Sequence, residues 1–196
     1  MTRNEDSTGD IRESSPDRTL VRAAVRGDER AFAWLVRRYL RKAMAVAVEY
    51  TGNREDAEDV VQDTFRRMLG SLDRFNPERS FEPWFFTILR NTARTATKSR
   101  RLRATEPLPD ERAAATPDPL EMTHRLELRR SLDQAVGALP TMQQRCFRLC
   151  LVEGLTSAEA AYALGLAEST VRVHVHKARQ TLQRELEAWR GGTWEP

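Results

Sequence analysis

Side chains that carry chemistry are scarce in this chain. Its 196 residues include three histidines and two cysteines, too few to assemble most metal sites or nucleophile–base pairs. His174 and His176 are near neighbours, His124 lies beside a proline-rich stretch, and no phosphate-cradling glycine loop occurs. No enzyme activity, cofactor or metal is therefore expected. Cys146 and Cys150 are one helical turn apart, a poor geometry for a disulfide, and read as two buried thiols. Lysine is nearly missing: Lys42, Lys98 and Lys177 are the only lysines among 32 basic residues. Arginine favours phosphate contacts, although a GC-rich genome produces the same bias. No apolar run approaches the roughly 20 residues of a membrane span, and the polar N-terminus has no signal-peptide core. A cytoplasmic location is expected. Strand signals are absent too, which leaves an all-α fold.

What the chain does have is unevenly placed charge. Charged residues make up 31% and hydrophobic ones 40%, yet the net charge is only +3, so distribution matters more than total. Residues 1–17 are polar and aperiodic, and are expected to be disordered. From Asp28 as a cap, Phe32, Leu35, Val36, Tyr39, Leu40 and Ala43 recur at helical spacing. Asn53 and Asp56 resemble a capping box opening a second helix, with the stripe Ala57, Val60, Val61, Phe65, Met68 and Leu69. A third helix begins near Ser80, tolerates Pro83 in its first turn, and runs toward Arg101. These make one helical domain, residues 18–101. Residues 102–121 hold Pro107, Pro109, Pro117 and Pro119 without an apolar stripe, and read as a linker. Periodicity resumes with Leu126, Leu132, Val136 and Leu139, placing a second domain at 122–190 and a tail at 191–196.

The second domain carries the clearest motif. After the break at Pro140, Thr141 with Gln144 starts a helix that Gly154 ends. Thr156 with Glu159 forms a capping box, Gly165 supplies a turn, and a final helix runs from about Ser169 to Trp189. This is a helix-turn-helix, whose second helix enters a DNA major groove. Val171, Val175, Ala178 and Leu182 make its core side. At about 100° per residue, the opposite face presents Ser169, Arg172, Val173, His176 and Gln180. Arginine and glutamine suit base edges, valine a thymine methyl, while Lys177 and Arg179 suit phosphates. Ala167 stands where a capping Ser or Thr is expected.

The third helix of the first domain also has two faces. Phe81, Trp84, Phe85, Ile88, Leu89 and Thr92 form an apolar side, against Arg90, Arg94, Lys98 and Arg101. With Arg79, Arg100 and Arg103, and Glu82 as the one acid, this segment reads as a phosphate-tracking surface. Phe81, Trp84 and Phe85 match the core period. Phe75 and the loop Asn76–Ser80 are better placed to touch an unstacked base, and Phe86, off the stripe, is a weaker candidate. The second helix is opposite in sign. Glu55, Asp56, Glu58, Asp59 and Asp63, with Gln62, crowd its polar face, with Arg54 the one basic residue between 54 and 63. Acids in its first turn favour the helix dipole, whereas Asp59 and Asp63 lie deeper and suit a basic protein partner.

In order and spacing these segments resemble the extracytoplasmic-function (ECF) sigma factors, small specificity subunits of bacterial RNA polymerase. AFAWLVRRYL (31–40) with TGNREDAEDVVQDTFRRML (51–69) is similar to the family's core-binding segment. FEPWFFTILRNTARTATKSRR (81–101) resembles the segment that reads and opens the promoter −10 element. LPTMQQRCFRLCLVEGLTSAEAAYALGLAESTVRVHVHKARQTLQREL (139–186) resembles the reader of the −35 element. The resemblance implies that Asp59, Gln62 and Asp63 face the β′ clamp helices of core polymerase, and Asp56 of the same acidic face completes the expected core-binding set. It implies −10 contacts from Asn76, Arg79 and Ser80 near a flipped base and from Arg90, Asn91, Arg94 and Lys98, and Arg101 extends their basic stripe. It implies −35 contacts from Glu168, Ser169, Thr170, Arg172 and His176, to which the outward face of the helix adds Val173, Lys177 and Arg179.

The chain departs from the family in places. Thr95 and Ala96 stand where an acid is frequent, and Val173 and His174 replace a common Ser and Arg. The run TVRVHV also resembles response-regulator helix-turn-helix domains, so a stand-alone DNA-binding regulator is the alternative. The expected partners are core RNA polymerase, promoter DNA and an anti-sigma factor. Such a factor would hold an otherwise cytoplasmic protein at the membrane if it were itself membrane-bound.

Overall fold

The computed structural model describes residues 11–103 and 133–191. The chain divides into two compact units at residues 103 and 104, and every regular element among the described residues is helical. The first unit holds α1 (Asp17–Val25), α2 (Glu29–Thr51), α3 (Arg54–Ser71), a 3₁₀ turn (Leu72–Arg74) and α4 (Phe81–Arg103).

Local chemistry sets most of these boundaries. The Asp28 carboxylate accepts from Arg30 N (2.9 Å) and Ala31 N (3.1 Å), satisfying two of the orphan donors at the start of α2. At its other end Gly52 adopts φ 81°, and its N–H donates to Val48 O at 2.9 Å. Asn53 then opens α3: its Oδ1 accepts from Asp56 N at 2.9 Å, while its Nδ2 donates to Asp56 Oδ2 at 2.7 Å. The box is closed through side chains rather than through the cap's backbone N–H.

The core of this unit is aromatic. Tyr39 lies 5.2 Å from Phe81, 4.8 Å from Phe85 and 6.3 Å from Phe86, and its hydroxyl donates to Asp17 in α1. Phe86 is fully buried, contrary to its place off the apolar stripe. Because α4 packs against both α2 and α3, its buried sector is wider than one stripe. Conversely Leu40 and Leu69, assigned to stripes, are 44% and 56% exposed.

α1 is absent from the sequence-based expectation, which treats residues through 17 as disordered. Residues 1–10 lie outside the described residues. Residues 11–16 instead enter a turn in which Ser15 N donates to Arg12 O at 2.9 Å, and Asp17 opens a helix burying Leu20, Val21 and Ala23. Nine residues give too little periodicity to read, and so short a helix is stabilised by docking rather than by propensity.

The second unit contains a helical segment at 133–138 (α5), α6 (Thr141–Phe147), a π-helical stretch (Arg148–Val152), α7 (Ser157–Leu164) and α8 (Glu168–Gly191). α6 starts at Thr141 behind Pro140, with no side-chain cap. Gln144 Nε2 turns away to donate to Val136 O at 3.0 Å, so Thr141 and Gln144 do not pair as a cap. The Thr156–Glu159 box is complete: Glu159 N donates to Thr156 Oγ1 (3.1 Å) and Thr156 N to Glu159 Oε2 (2.9 Å). Glu159 is 1% exposed, and Gly165 at φ 71° makes the turn into α8. α8 begins over Ala167, whose carbonyl accepts from Val171 N at 3.1 Å without a polar cap side chain. Leu139, Ala178 and Leu182 form one buried cluster of this unit with Ala135, Val136 and Phe147 packed on, and Cys146, Leu149, Ala160 and Val171 are fully buried as well. The expected linker beyond Arg103, His124, Leu126, Leu132 and the last five residues lie outside the described residues.

Candidate polymerase and nucleic-acid interfaces

On α4, Phe85, Phe86, Leu89, Thr92 and Ala93 are buried, and Asn91, Arg94 and Lys98 are exposed. Arg90 is half-buried, at the edge of the basic stripe rather than on its crest. The backbone of Arg101 continues α4, but its side chain is outside the described set. Ahead of the helix, Asn76, Arg79 and Ser80 are exposed around a tight turn. Asn76 Oδ1 accepts from Glu78 N at 2.9 Å, and Asn76 O accepts from Arg79 N at 3.0 Å. These residues line a cleft of about 850 Å³ with Arg74, Pro83, Trp84 and Thr87.

Phe75 does not offer its ring for stacking as expected. It is 8% exposed, with its ring 4.6 Å from Trp84 and 5.9 Å from Phe81. The chain turns at Phe75 into the aromatic core, so Phe75 lines the cleft only by an edge and the half-buried Trp84 is its more open aromatic residue. Phe86 is likewise withdrawn from any stacking role.

The acidic face of α3 is less bare than its composition suggests. Asp63 accepts from Arg66 and, at 2.7 Å, from Arg67. Hydrogen bonds from Arg66 and then Arg67 hold its carboxyl below the usual carboxylate range. Arg54 Nε donates to Glu58 at 2.8 Å, and Arg100 reaches from α4 to Asp56. Asp59 and Gln62 are exposed, and neither has a side-chain partner among the described residues. Of the four expected polymerase contacts, two are therefore engaged within the chain and two are open. Asp56, Asp59 and Asp63 share a cleft of about 450 Å³ with Thr92, Thr95 and Arg100, so the acidic and basic surfaces meet along α3 and α4.

In the second unit α8 separates its faces as its spacing predicts. Val171 and Ala178 are fully buried and Leu182 nearly so, while Val175 is half-buried. Ser169, Arg172, His176, Lys177, Arg179 and Gln180 are exposed, and Val173 is 50% exposed. Thr170 is half-buried, beside the core. Glu168 Oε1 lies 3.3 Å from Arg172 Nη2, one turn along, which steadies Arg172 over the outer face. Behind it, Cys146 is fully buried and Cys150 half-buried, both as thiols. Burial, and then the neighbouring Cys150, push the Cys146 thiol up to about 11.

Among the described residues no group of three or more His, Cys, Asp and Glu side chains is placed to hold a metal. No helix among them is long and apolar enough to cross a membrane.

Comparison with known proteins agrees with this division. Residues 35–103 match the family Sigma-70 region 2, and residues 129–182 match Sigma-70, region 4. The chain is 33% identical over 166 residues to the ECF RNA polymerase sigma factor SigE of Mycolicibacterium smegmatis, covering 82% of this chain and 64% of that protein, less than two thirds of its length. It is 36% identical over 183 residues to the RNA polymerase sigma factor CnrH of Cupriavidus metallidurans, covering 88% of this chain and 95% of CnrH. The structure of CnrH in complex with the cytosolic domain of CnrY superposes with a TM-score of 0.58, at 32% identity over 88% of this chain and 97% of that one. The sigma factor RpoE of Bartonella quintana, solved with the anti-sigma factor NepR, gives 0.54 at 25% identity, covering 80% and 96%. The chain belongs to the ECF RNA polymerase sigma factors, with a region 2 of α-helices carrying a basic α4 and a region 4 built on a helix-turn-helix.

Proposed function

We propose that this sigma factor divides its work among three surfaces. Asp59 and Gln62 on α3, extended by Asp56 and Asp63, dock core RNA polymerase. Asn76, Arg79 and Ser80, with Arg90, Asn91, Arg94, Lys98 and Arg101 of α4, capture and open the −10 element. Ser169, Thr170, Arg172, Val173, His176, Lys177 and Arg179, with Glu168 steadying Arg172, read the −35 duplex. The observation carrying this reading is that the outward faces of α4 and α8 are cationic and belong to different compact units. Two DNA-facing surfaces joined through a linker that begins beyond Arg103, where α4 ends, raise effective concentration without new contacts. The functional domains are 18–101 and 122–190, on either side of that linker.

Polymerase performs the chemistry, and this chain supplies sequence choice and strand capture without an active site of its own. Its place of action is the cytoplasm. The anti-sigma complex of RpoE supports a similar partner here, covering the surfaces until a signal arrives. Run-off transcription tests the whole reading: purified core polymerase with and without this protein, on genomic fragments from its own source. Promoter-dependent transcripts only with the protein are expected. None from any fragment would sink the proposal.

A further inference from the structure

α1 has no part in the assignment above, yet it reaches the loop that assignment gives to the displaced strand. Arg18 and Arg22 lie one turn apart on α1, and each donates to a different oxygen of Glu78, Arg18 to Oε2 and Arg22 to Oε1. Glu78 is the middle residue of the loop 76–80. Its N–H donates to Asn76 Oδ1 and the Arg79 N–H to Asn76 O, so the turn moves with the carboxylate. α1 is itself anchored: Leu20 and Val21 are fully buried, and Asp17 accepts from both Arg38 and Tyr39 of α2. An exposed ion pair usually contributes little stability. These side chains are about half exposed and screened by solvent. Yet two cations on a docked helix converge on one loop carboxylate across sequence separations of 60 and 56 residues, which favours one placement of the loop while adding little energy.

We infer that Arg18 and Arg22 are positioning residues for strand capture: they hold Glu78 so that Asn76, Arg79 and Ser80 keep one arrangement along the cleft beside Trp84. This rests on the strand-capture role of that loop. The competing account is that the two arginines touch DNA directly and Glu78 merely screens them. The two accounts give opposite signs for Glu78→Gln. Positioning predicts loss, because the loop is released. Direct contact predicts gain, because two cations are unmasked.

The test uses the full chain assembled with bacterial core polymerase and a randomised single-stranded DNA decamer pool, with the retained fraction sequenced. Hydrogen exchange at residues 76–80 is measured in parallel. Arg18→Ala with Arg22→Ala, and Glu78→Gln alone, should each lower enrichment at the most selected position by about fivefold, and the triple variant should be no worse. Exchange at the Glu78 and Arg79 amides should quicken in all three. Tighter retention by Glu78→Gln would overturn positioning in favour of direct contact. Unchanged selectivity or unchanged exchange in the arginine variants would overturn it as well. A wild-type holoenzyme with no base preference would instead overturn the strand-capture reading, and this assignment with it.

Discussion

Arg100, near the end of α4, donates to the carboxylate of Asp56, the third residue of α3. That carboxylate also accepts from Asn53 Nδ2 at 2.7 Å, closing the start of α3. One side chain thus ties the helix assigned to polymerase to the helix assigned to DNA phosphates. Arg100 and Asp56 are 43% and 36% exposed, so solvent screens the pair heavily.

Neutralising Asp56 should therefore release Arg100 at little cost to the fold. Asp56→Asn is expected to change stability by less than about 1 kcal/mol in urea denaturation. The freed guanidinium should steepen the salt dependence of single-stranded DNA binding by up to about one counterion. An identical salt slope in wild type and variant would show that Arg100 stays away from phosphate.

Asp59 and Asp63 differ in availability although they lie one turn apart on α3. Asp59→Arg should weaken core polymerase binding by about tenfold or more, as charge reversal at a complementary interface does. Asp63→Asn should act less on binding, since Arg66 and Arg67 already neutralise Asp63. Fluorescence titration of labelled protein with core polymerase measures both. Equal losses, or a fall in thermal stability with Asp59→Arg, would count against a specific contact at Asp59.

Arg172 is exposed on α8 and steadied by Glu168. Truncation to alanine should relax discrimination at one −35 base pair by about 1–3 kcal/mol. Lys177→Ala should instead weaken matched and mismatched duplexes alike, because a phosphate contact carries no sequence information. Competition binding with single-base-pair variants of the selected duplex separates the two. Unaltered base preference without Arg172 would remove it from the readout.

The Cys146 thiol gives a pH signature. Its value rises from 9.0 in the ordinary thiol to about 11 in the folded protein. The folded state keeps the proton where the unfolded state loses it. This contribution is whole below pH 9 and declines as pH rises toward 11. Urea midpoints should fall across that window, and Cys146→Ala should flatten the fall. At about pH 8, iodoacetamide should modify Cys146 only after unfolding. Rapid modification of the native protein at that pH would contradict its burial.

Much of this molecule is legible along the chain. Asp28, Asn53 with Asp56, and Thr156 with Glu159 cap helices from positions within three residues of the groups they satisfy. Gly165 turns the chain between α7 and α8, and the 3.6-residue period of α8 places Arg172 and His176 opposite Val171 and Ala178. α1, by contrast, is stabilised by burying Leu20 and Val21 against other helices, and nothing in its nine residues announces this.

Sequence by itself determined the longer helices, the caps at Asp28, Asn53 and Thr156, the helix-turn-helix and the basic stripe, because each depends on neighbours within a turn or two. Tertiary structure decided which of these groups remain available. It turned Phe75 and Phe86 inward, since α4 meets two helices and the loop before it folds onto Trp84. It also brought Arg100 to Asp56, and Arg18 and Arg22 to Glu78, across 44 to 60 residues. Those pairings depend on how helices pack, and no local periodicity encodes the distance between two side chains on different helices.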